Sequence, residues 1–217
     1  MTDLLTSLRQ SETLAEGARF LPGFAGDQVE SLLAEIHAIA ACAPFRRMQT
    51  SGGHTMSVAM TNCGAAGWVT DRHGYRYTAT DPQTGRPWPD LPESFRSLAT
   101  RAAAAAGYPD FIPDACLINR YEPGARMSLH QDRNEQDLAA PIVSVSLGLP
   151  ATFLFGGLSR TDRPRKVVLL SGDIVVWGGP SRLAFHGIEP LAPGGVPHRT
   201  NLTFRKALGI PPQEAAR

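Results

Sequence analysis

With 217 residues, 42% of them hydrophobic and 19% charged, the chain has apolar mass for one ample core and lacks the charge-rich balance of a disordered segment. A formal net charge of +1 excludes wholesale coating of nucleic acid by charge and leaves room for a local basic patch. The cysteines Cys42, Cys63 and Cys116 form no Cys-x-x-Cys and cannot all pair, which fits a reducing cytoplasm, and no signal peptide or membrane-length apolar run of ~20 residues is expected.

In chain order, residues 1–16 are polar without a clear period and are expected to lie on the surface or fray. Asp27 reads as the N-cap of a helix reaching about Ala41, with Val29, Leu32, Leu33, Ile36 and Ile39 as its buried stripe and His37 exposed. Between Pro44 and Tyr77 the texture changes. Glycines recur, aromatic Trp68, Tyr75 and Tyr77 appear, and Arg46, Arg47, Arg72 and Arg76 face the single acid Asp71. Rings stack on bases and guanidiniums hold phosphates, so the mixture suits a nucleic-acid surface; an ordinary loop-rich pair of hairpins has the same composition.

The prolines of 81–89 forbid a regular element there. A second helix is expected from Pro92 to Ala106, burying Phe95, Leu98 and Ala102 and stopping at Gly107. Beyond Ala115 the pattern is one of short strands: 115–121, 128–131, 142–149, 151–155, 166–170, 173–177, 183–186 and 199–205. Ser171-Gly172 reads as a tight hairpin between two of them. The expected fold is therefore mostly β with flanking helices, most economically a jelly roll.

Chemistry concentrates in 119–135. His130 and Asp132, two apart on an extended chain, point to one face and can grip one cation. A His-x-Asp pair is common by chance, but His186, just after the apolar run 173–177, offers a third ligand. Two imidazoles and a carboxylate on one side of a metal leave positions open, the arrangement of non-haem Fe(II) oxygenases. On the last strand Arg199, Asn201, Thr203 and Arg205 alternate with Leu202 and Phe204, which turns four polar groups inward. Two buried guanidiniums imply a buried anion, and the fork of arginine suits a carboxylate. A small dicarboxylate spanning the two could also chelate iron.

Taken together, Asn119-x-Tyr121, His130-x-Asp132, His186 and Arg199-x-Asn201-x-Thr203-x-Arg205 resemble the AlkB family of Fe(II)/2-oxoglutarate dioxygenases, its bacterial branch in particular, from about Phe45 through Arg205. The resemblance implies a double-stranded β-helix core over 114–206 and a nucleotide-recognition lid over 44–80, within one domain spanning 1–217. It implies Fe(II) on His130, Asp132 and His186, and 2-oxoglutarate on Asn119, Tyr121, Arg199, Asn201 and Arg205, with O2 as the other co-substrate. The activity implied is oxidative removal of N-methyl groups from nucleobases such as 1-methyladenine and 3-methylcytosine, releasing formaldehyde and succinate. By the same resemblance Trp68 and Tyr75 line the base pocket, with Thr50, Met60, His54, Asn134 and Glu135 near it. Arg160 leads the basic stretch 159–166, either as a phosphate contact or as part of a solvated hairpin tip.

Two positions depart from the bacterial pattern of the family. Asn134 stands where it has a carboxylate and His54 where it has a tyrosine, which bears on the preference among methylated bases. The substrate expected is methylated DNA, single- or double-stranded, with RNA left open, acted on by a monomer without a membrane. Two other readings stay open: a 2-oxoglutarate oxygenase acting on a protein or small metabolite, and a cupin-like binding module without turnover.

Overall fold

The computed structural model describes residues 9–209. Its framework is a seven-stranded sheet facing a four-stranded one. In chain order the strands are β1 (Glu12–Ala15), β2 (Ala18–Leu21), β3 (Ala59–Gly64), β4 (Gly67–Asp71), β5 (Gly74–Thr78), β6 (Ala115–Tyr121) and β7 (Met127–His130). They continue with β8 (Ile142–Gly148), β9 (Ala151–Phe155), β10 (Arg165–Leu169), β11 (Ile174–Trp177), β12 (His186–Ile188) and β13 (Arg199–Arg205). The large sheet runs β1-β2-β11-β8-β13-β6-β3, the small one β10-β9-β12-β7, and β4-β5 form a separate hairpin. With two helices besides, this is the expected jelly roll with flanking helices. No helix among the described residues is long and apolar enough to cross a membrane.

Strand alternation sorts the large sheet into two faces. Cys116, Ile118, Val143, Val145, Ile174, Val176, Leu202 and Phe204 pack outward on helices α1 (Val29–Cys42) and α2 (Glu93–Ala105). Leu117, Tyr121, Ile142, Val175 and Trp177 turn inward, against Phe153 and Phe155 of the small sheet. Burial of each large apolar side chain contributes about 1.5–3 kcal/mol, so both faces hold β13 in the middle of the sheet. Every residue of β13 is buried, which explains how a strand with two arginines can be central: its polar face looks into a cavity and its apolar face onto the helices.

Several expectations need correction. Asp27 caps no helix: a 3-10 turn occupies Gly26–Gln28 and the N-cap of α1 is Gln28, without a side-chain cap bond. The stripe itself is in place, with Leu32, Ile36 and Ile39 buried and Val29 and Leu33 partly so. Of the segment 1–16, read as surface or frayed, residues 12–15 form β1, which pairs with β2, and β2 pairs with β11; residues 1–8 of that segment lie outside the described residues. Ser171-Gly172 is no hairpin. It carries the chain from one sheet to the other, since β10 pairs with β9 whereas β11 pairs with β2 and β8. Gly172 has φ 91° and an added Cβ would meet the backbone of Gly26 at 2.9 Å, so a crossing of two chains, not a tight turn, requires glycine there. The strand expected at 183–186 begins only at His186.

Candidate active site

The strand register brings the three candidate ligands together. β12 runs antiparallel to β7 with His186 directly opposite His130, so the two rings sit side by side, centroids 4.4 Å apart. Cross-strand neighbours on one face are this close by construction. Asp132 follows two residues past His130, and its carboxylate oxygens lie 3.7 Å from Nε2 of each histidine. One ligand atom from each of the three falls within 4.8 Å of the others. Gly187 permits the approach: an added Cβ would stand 2.6 Å from the Met127 carbonyl oxygen across the strand pair.

The second nitrogen of each ring settles its tautomer. His130 Nδ1 is 2.9 Å from the Ser128 carbonyl and His186 Nδ1 is 3.0 Å from that of Ala184. A carbonyl only accepts, so Nδ1–H donates on each ring, and a neutral ring then turns its Nε2 lone pair toward Asp132. Burial, with His130 beside it, pulls the His186 imidazole down to about 4, which keeps it neutral and able to ligate at neutral pH. Burial alone would raise the Asp132 carboxyl, but Arg205 and the two imidazoles overcome it and hold the group ionised, well below the usual carboxylate range.

A cavity of about 910 Å³ opens over this cluster. Of the residues singled out from the sequence, its walls include Thr50, His54, Met60, Trp68, Tyr75, Asn119, Tyr121, Asn134, Arg160, Arg199, Asn201 and Arg205 beside the three ligand candidates. Deep in it, the two arginines of β13 differ. Arg205 is already neutralised: its Nη2 and Nε donate to Asp132 Oδ2 at 2.5 and 3.1 Å, and Nε lies 3.3 Å from Glu135 Oε1. Arg199 is 1% exposed, donates Nη2 to Ser146 Oγ at 2.8 Å and lies over the Tyr121 ring, yet its Nε and Nη1 have no partner among the described residues. Burial pulls its guanidinium below the ordinary value. The inference of a buried anion therefore rests on Arg199 alone.

Asn201 is locked by donating Nδ2 to Ser144 Oγ and the Val145 carbonyl, while its Oδ1 accepts from Thr203. Asn119, opposite Asn201 in register, keeps an amide oxygen with no partner among the described residues. An unpaired buried guanidinium ringed by amides and hydroxyls fits a carboxylate-bearing ligand, and the neutral nitrogens with an ionised carboxylate above it fit a divalent iron. The donor set thus suits both groups the sequence implies.

At the mouth, Trp68 and Tyr75 stack with centroids 5.6 Å apart and 23° between their planes. Asn62 clamps the Trp68 backbone by two hydrogen bonds, and the indole Nε1 lies 3.4 Å from Asn134 Oδ1. Glu135 is different: 6% exposed and absent from the cavity walls, it joins Arg182, Arg205 and Tyr77 beneath them. The positive charge of 44–77 is also less available than its composition suggested. Arg46 is bound to Asp81, Arg47 to Glu122 and Arg76 to Asp71, while in 159–166 Arg165 pairs with Glu12 and Lys166 with Glu189. Arg160 lines the cavity over Phe185. Arg126 and Arg133, not singled out from the sequence, join it there as exposed side chains.

Other residues had no periodic signal. Arg182 sits just past a 3-10 turn, and Trp177, packed on His186 at 4.8 Å, reads from sequence as one more core aromatic. Ser144 and Ser146 were legible, as two hydroxyls on one face of an otherwise apolar strand.

Residues 17–205 match the model of the 2OG-Fe(II) oxygenase superfamily. The alpha-ketoglutarate-dependent dioxygenase AlkB of Escherichia coli is 60% identical over 200 residues, which cover 90% of this chain and 93% of that protein. The AlkB homolog of Caulobacter vibrioides is 45% identical over 201 residues, 90% of each chain. The solved structure of OsALKBH1 superposes with a TM-score of 0.79 at 30% identity, over 91% of this chain and 100% of that one.

Proposed function

Because this chain belongs to the 2OG-Fe(II) oxygenase superfamily, and within it to the AlkB dioxygenases, we propose that its cavity takes N-methylated bases flipped out of DNA, 1-methyladenine and 3-methylcytosine among them. The enzyme is an Fe(II)- and 2-oxoglutarate-dependent dioxygenase that oxidatively demethylates alkylated nucleic-acid bases, with O2 as the other co-substrate. When bound, iron with 2-oxoglutarate supplies the activation of O2 that oxidises the methyl carbon, which leaves as formaldehyde. His130, Asp132 and His186 are the residues that would hold the metal. Arg199 would take a carboxylate of 2-oxoglutarate, with Asn119, Tyr121 and Asn201 beside it and Arg205 on the Asp132 side.

The observation that carries this reading is that an unneutralised buried guanidinium, a two-histidine carboxylate cluster and a stacked aromatic pair share one cavity. At about 910 Å³ it lies at the upper end of the roughly 300–1,000 Å³ of ligand sites, room for a co-substrate and a base together. A base must leave the stack to reach it, which costs least in single strands or at a damaged pair; Trp68 and Tyr75 offer it ring faces. The free thiols Cys42, Cys63 and Cys116 support the cytoplasm as its compartment. The test is an anaerobic-start assay with Fe(II), 2-oxoglutarate and methylated DNA and RNA oligonucleotides, followed by loss of the methyl mass and formaldehyde. Succinate production without demethylation of either polymer would favour a different substrate class.

Salt dependence is expected to be moderate. With Arg46, Arg47 and Arg76 engaged by carboxylates, the phosphate contacts fall to the exposed Arg72 on the β4–β5 hairpin and to Arg126, Arg133 and Arg160, and at about −0.7 per contact the slope of log affinity on log salt for a single strand should be about −3. Arg160→Ala should reduce it by about 0.7, whereas Arg47→Ala should leave it unchanged. Titrations at several salt concentrations check both.

Asn134 is proposed to read the base. It lies at the mouth, on the cavity wall and beside the Trp68 indole. A carboxylate there would favour a cationic lesion by charge as well as by hydrogen bonding, a difference on the order of 1 kcal/mol. Asn134→Asp should therefore shift the ratio of 1-methyladenine to 3-methylcytosine repair by less than the roughly fivefold that 1 kcal/mol is worth for a single lesion, because both lesions are cationic, and leave uncoupled 2-oxoglutarate turnover unchanged. An unchanged ratio in side-by-side kinetics would remove Asn134 from base reading.

A further inference from the structure

We propose that Arg182 is a positioning residue: its guanidinium fixes the segment that carries Asp132 and so sets where that carboxylate stands for the metal. The proposal rests on the metal assignment made above and gives a role to a buried side chain outside the cavity walls.

The need for such a residue follows from the fold. His130 ends β7 and His186 begins β12, so the sheet itself places both imidazoles. Asp132 has no such support. From Gln131 to Pro141 the chain has neither strand nor helix. Among the described residues its backbone makes one hydrogen bond to backbone elsewhere, from the Gln136 N–H to the Ala207 carbonyl. A functional group must be held to within about 0.5 Å of its working position, and a segment this poor in backbone bonds needs side chains to hold it.

Arg182 meets that need with all three of its guanidinium nitrogens. Nη1 donates to the Asp132 carbonyl at 2.7 Å, Nη2 to Glu135 Oε2 at 3.0 Å and Nε to the Ala140 carbonyl at 2.9 Å. One planar fork therefore holds both ends of 132–140 and a point between them. Arg205 grips the Asp132 carboxylate itself and orients its oxygens, whereas Arg182 holds the main chain from which that side chain springs.

The fork stands on a fixed base. The turn before it is tied down by Ser181 Oγ, which donates to the Glu16 carbonyl at 2.7 Å, and by the Gly178 N–H, which donates to the Gly17 carbonyl at 2.9 Å. Leu183, the next residue, accepts from Gln131 Nε2 at 2.6 Å. Residues 182 and 183 lead into β12, so the segment of the carboxylate ligand is stitched to the approach of the histidine it must meet.

Charge alone does not account for the arrangement. Arg182 neutralises Glu135, which Arg205 also faces, but two of its three bonds go to carbonyls. A carbonyl needs a donor in a given place, not a net charge. Lysine at 182 would keep the cation and lose the three-point fork.

In the experiment Mn(II), a redox-silent substitute for Fe(II), is titrated into wild type, Arg182→Lys and Arg182→Met without 2-oxoglutarate. The free ion is followed by its electron paramagnetic resonance signal, and melts are recorded beside the titrations. Arg182→Lys should bind Mn(II) about tenfold more weakly than wild type, within the roughly 10–100-fold usual for groups that orient a metal ligand. Arg182→Met should lose at least as much. A merely structural arginine would lower the melting temperature of both variants and leave the Mn(II) affinity of the folded protein at the wild-type value. An arginine needed for its charge alone would be replaced by lysine without loss. Either result overturns the clamp.

Should Arg182→Lys not stay folded, the double variant Arg182→Gln with Glu135→Gln takes its place. It removes one cation and one anion together, so the net charge of the buried network is kept while the three-point hold is lost, and the same weakening of about tenfold is expected. Wild-type affinity in that variant overturns the clamp as well. Failure of wild type itself to bind Mn(II) overturns the metal assignment, and this inference with it.

Discussion

Replacing Arg199 by alanine is expected to weaken 2-oxoglutarate binding by about 2–5 kcal/mol, the scale for removing one partner of a buried ion pair, and to leave the fold intact. Its Nε and Nη1 have no protein partner among the described residues and only Ser146 accepts from Nη2, so deletion strands no buried carboxylate. The apo protein should melt at the wild-type temperature or above it, since an uncompensated buried charge has been removed. Arg205→Ala should behave in the opposite way. Asp132 and Glu135 both lean on that guanidinium, and leaving two buried carboxylates short of a cation should cost about 3–5 kcal/mol of stability. Calorimetric titration of 2-oxoglutarate and thermal melts of the two variants separate the cases. Equal loss of stability in both would refute the distinction between an anion clamp and a structural pair.

Substitution of His186 by alanine is expected to abolish iron-dependent turnover of 2-oxoglutarate and of methylated oligonucleotides alike. The loss should be at least about a hundredfold, the upper scale even for groups one shell removed from a metal. The imidazole is buried and held neutral, with its Nδ1 already given to the Ala184 carbonyl, so no neighbouring group can take its place. His130→Ala should match it in activity. Asp132→Ala should match it as well and also destabilise the protein, because Arg205 then loses its nearest carboxylate; Asp132→Asn should melt closer to wild type, since its amide oxygen still accepts a hydrogen bond. Turnover assays paired with melts test each variant, and near-wild-type activity in any of them would remove that residue from the metal set.

The contrast between the two arginines shows where sequence reasoning stopped. Alternation along 199–205 was legible because a strand has period two, and it correctly turned Arg199, Asn201, Thr203 and Arg205 to one face and Leu202 and Phe204 to the other. That both guanidiniums needed an external anion did not follow. Asp132 and Glu135, far away in the chain, neutralise one of them, and nothing local to β13 records it.

The same limit governed the basic residues of 44–77. Their composition is a sequence property, but their availability depends on Asp81, Glu122 and Asp71, of which only Asp71 lies in the same segment. The missed Arg126 and Arg133 became visible only when β7 was seen to deliver them to the cavity rim.

By itself the sequence determined the element types with strong periods: the stripe of α1, the alanine-rich α2 and the alternating strands β6, β8, β9 and β13. It also offered the candidate ligand set, because His130, Asp132 and His186 stand in the order of a motif that resembles the family's. Only the tertiary structure decided which strands share a sheet, since hydrogen-bond partners in a sheet are chosen by contacts remote in the chain. Hence Ser171-Gly172, a hairpin by local rule, became a crossover, and 12–15, too short to show a period, became an edge of the large sheet. Tertiary packing likewise moved Glu135 from the pocket wall to the charge network beneath it, because a buried carboxylate goes where two guanidiniums and a phenol hydroxyl can satisfy it.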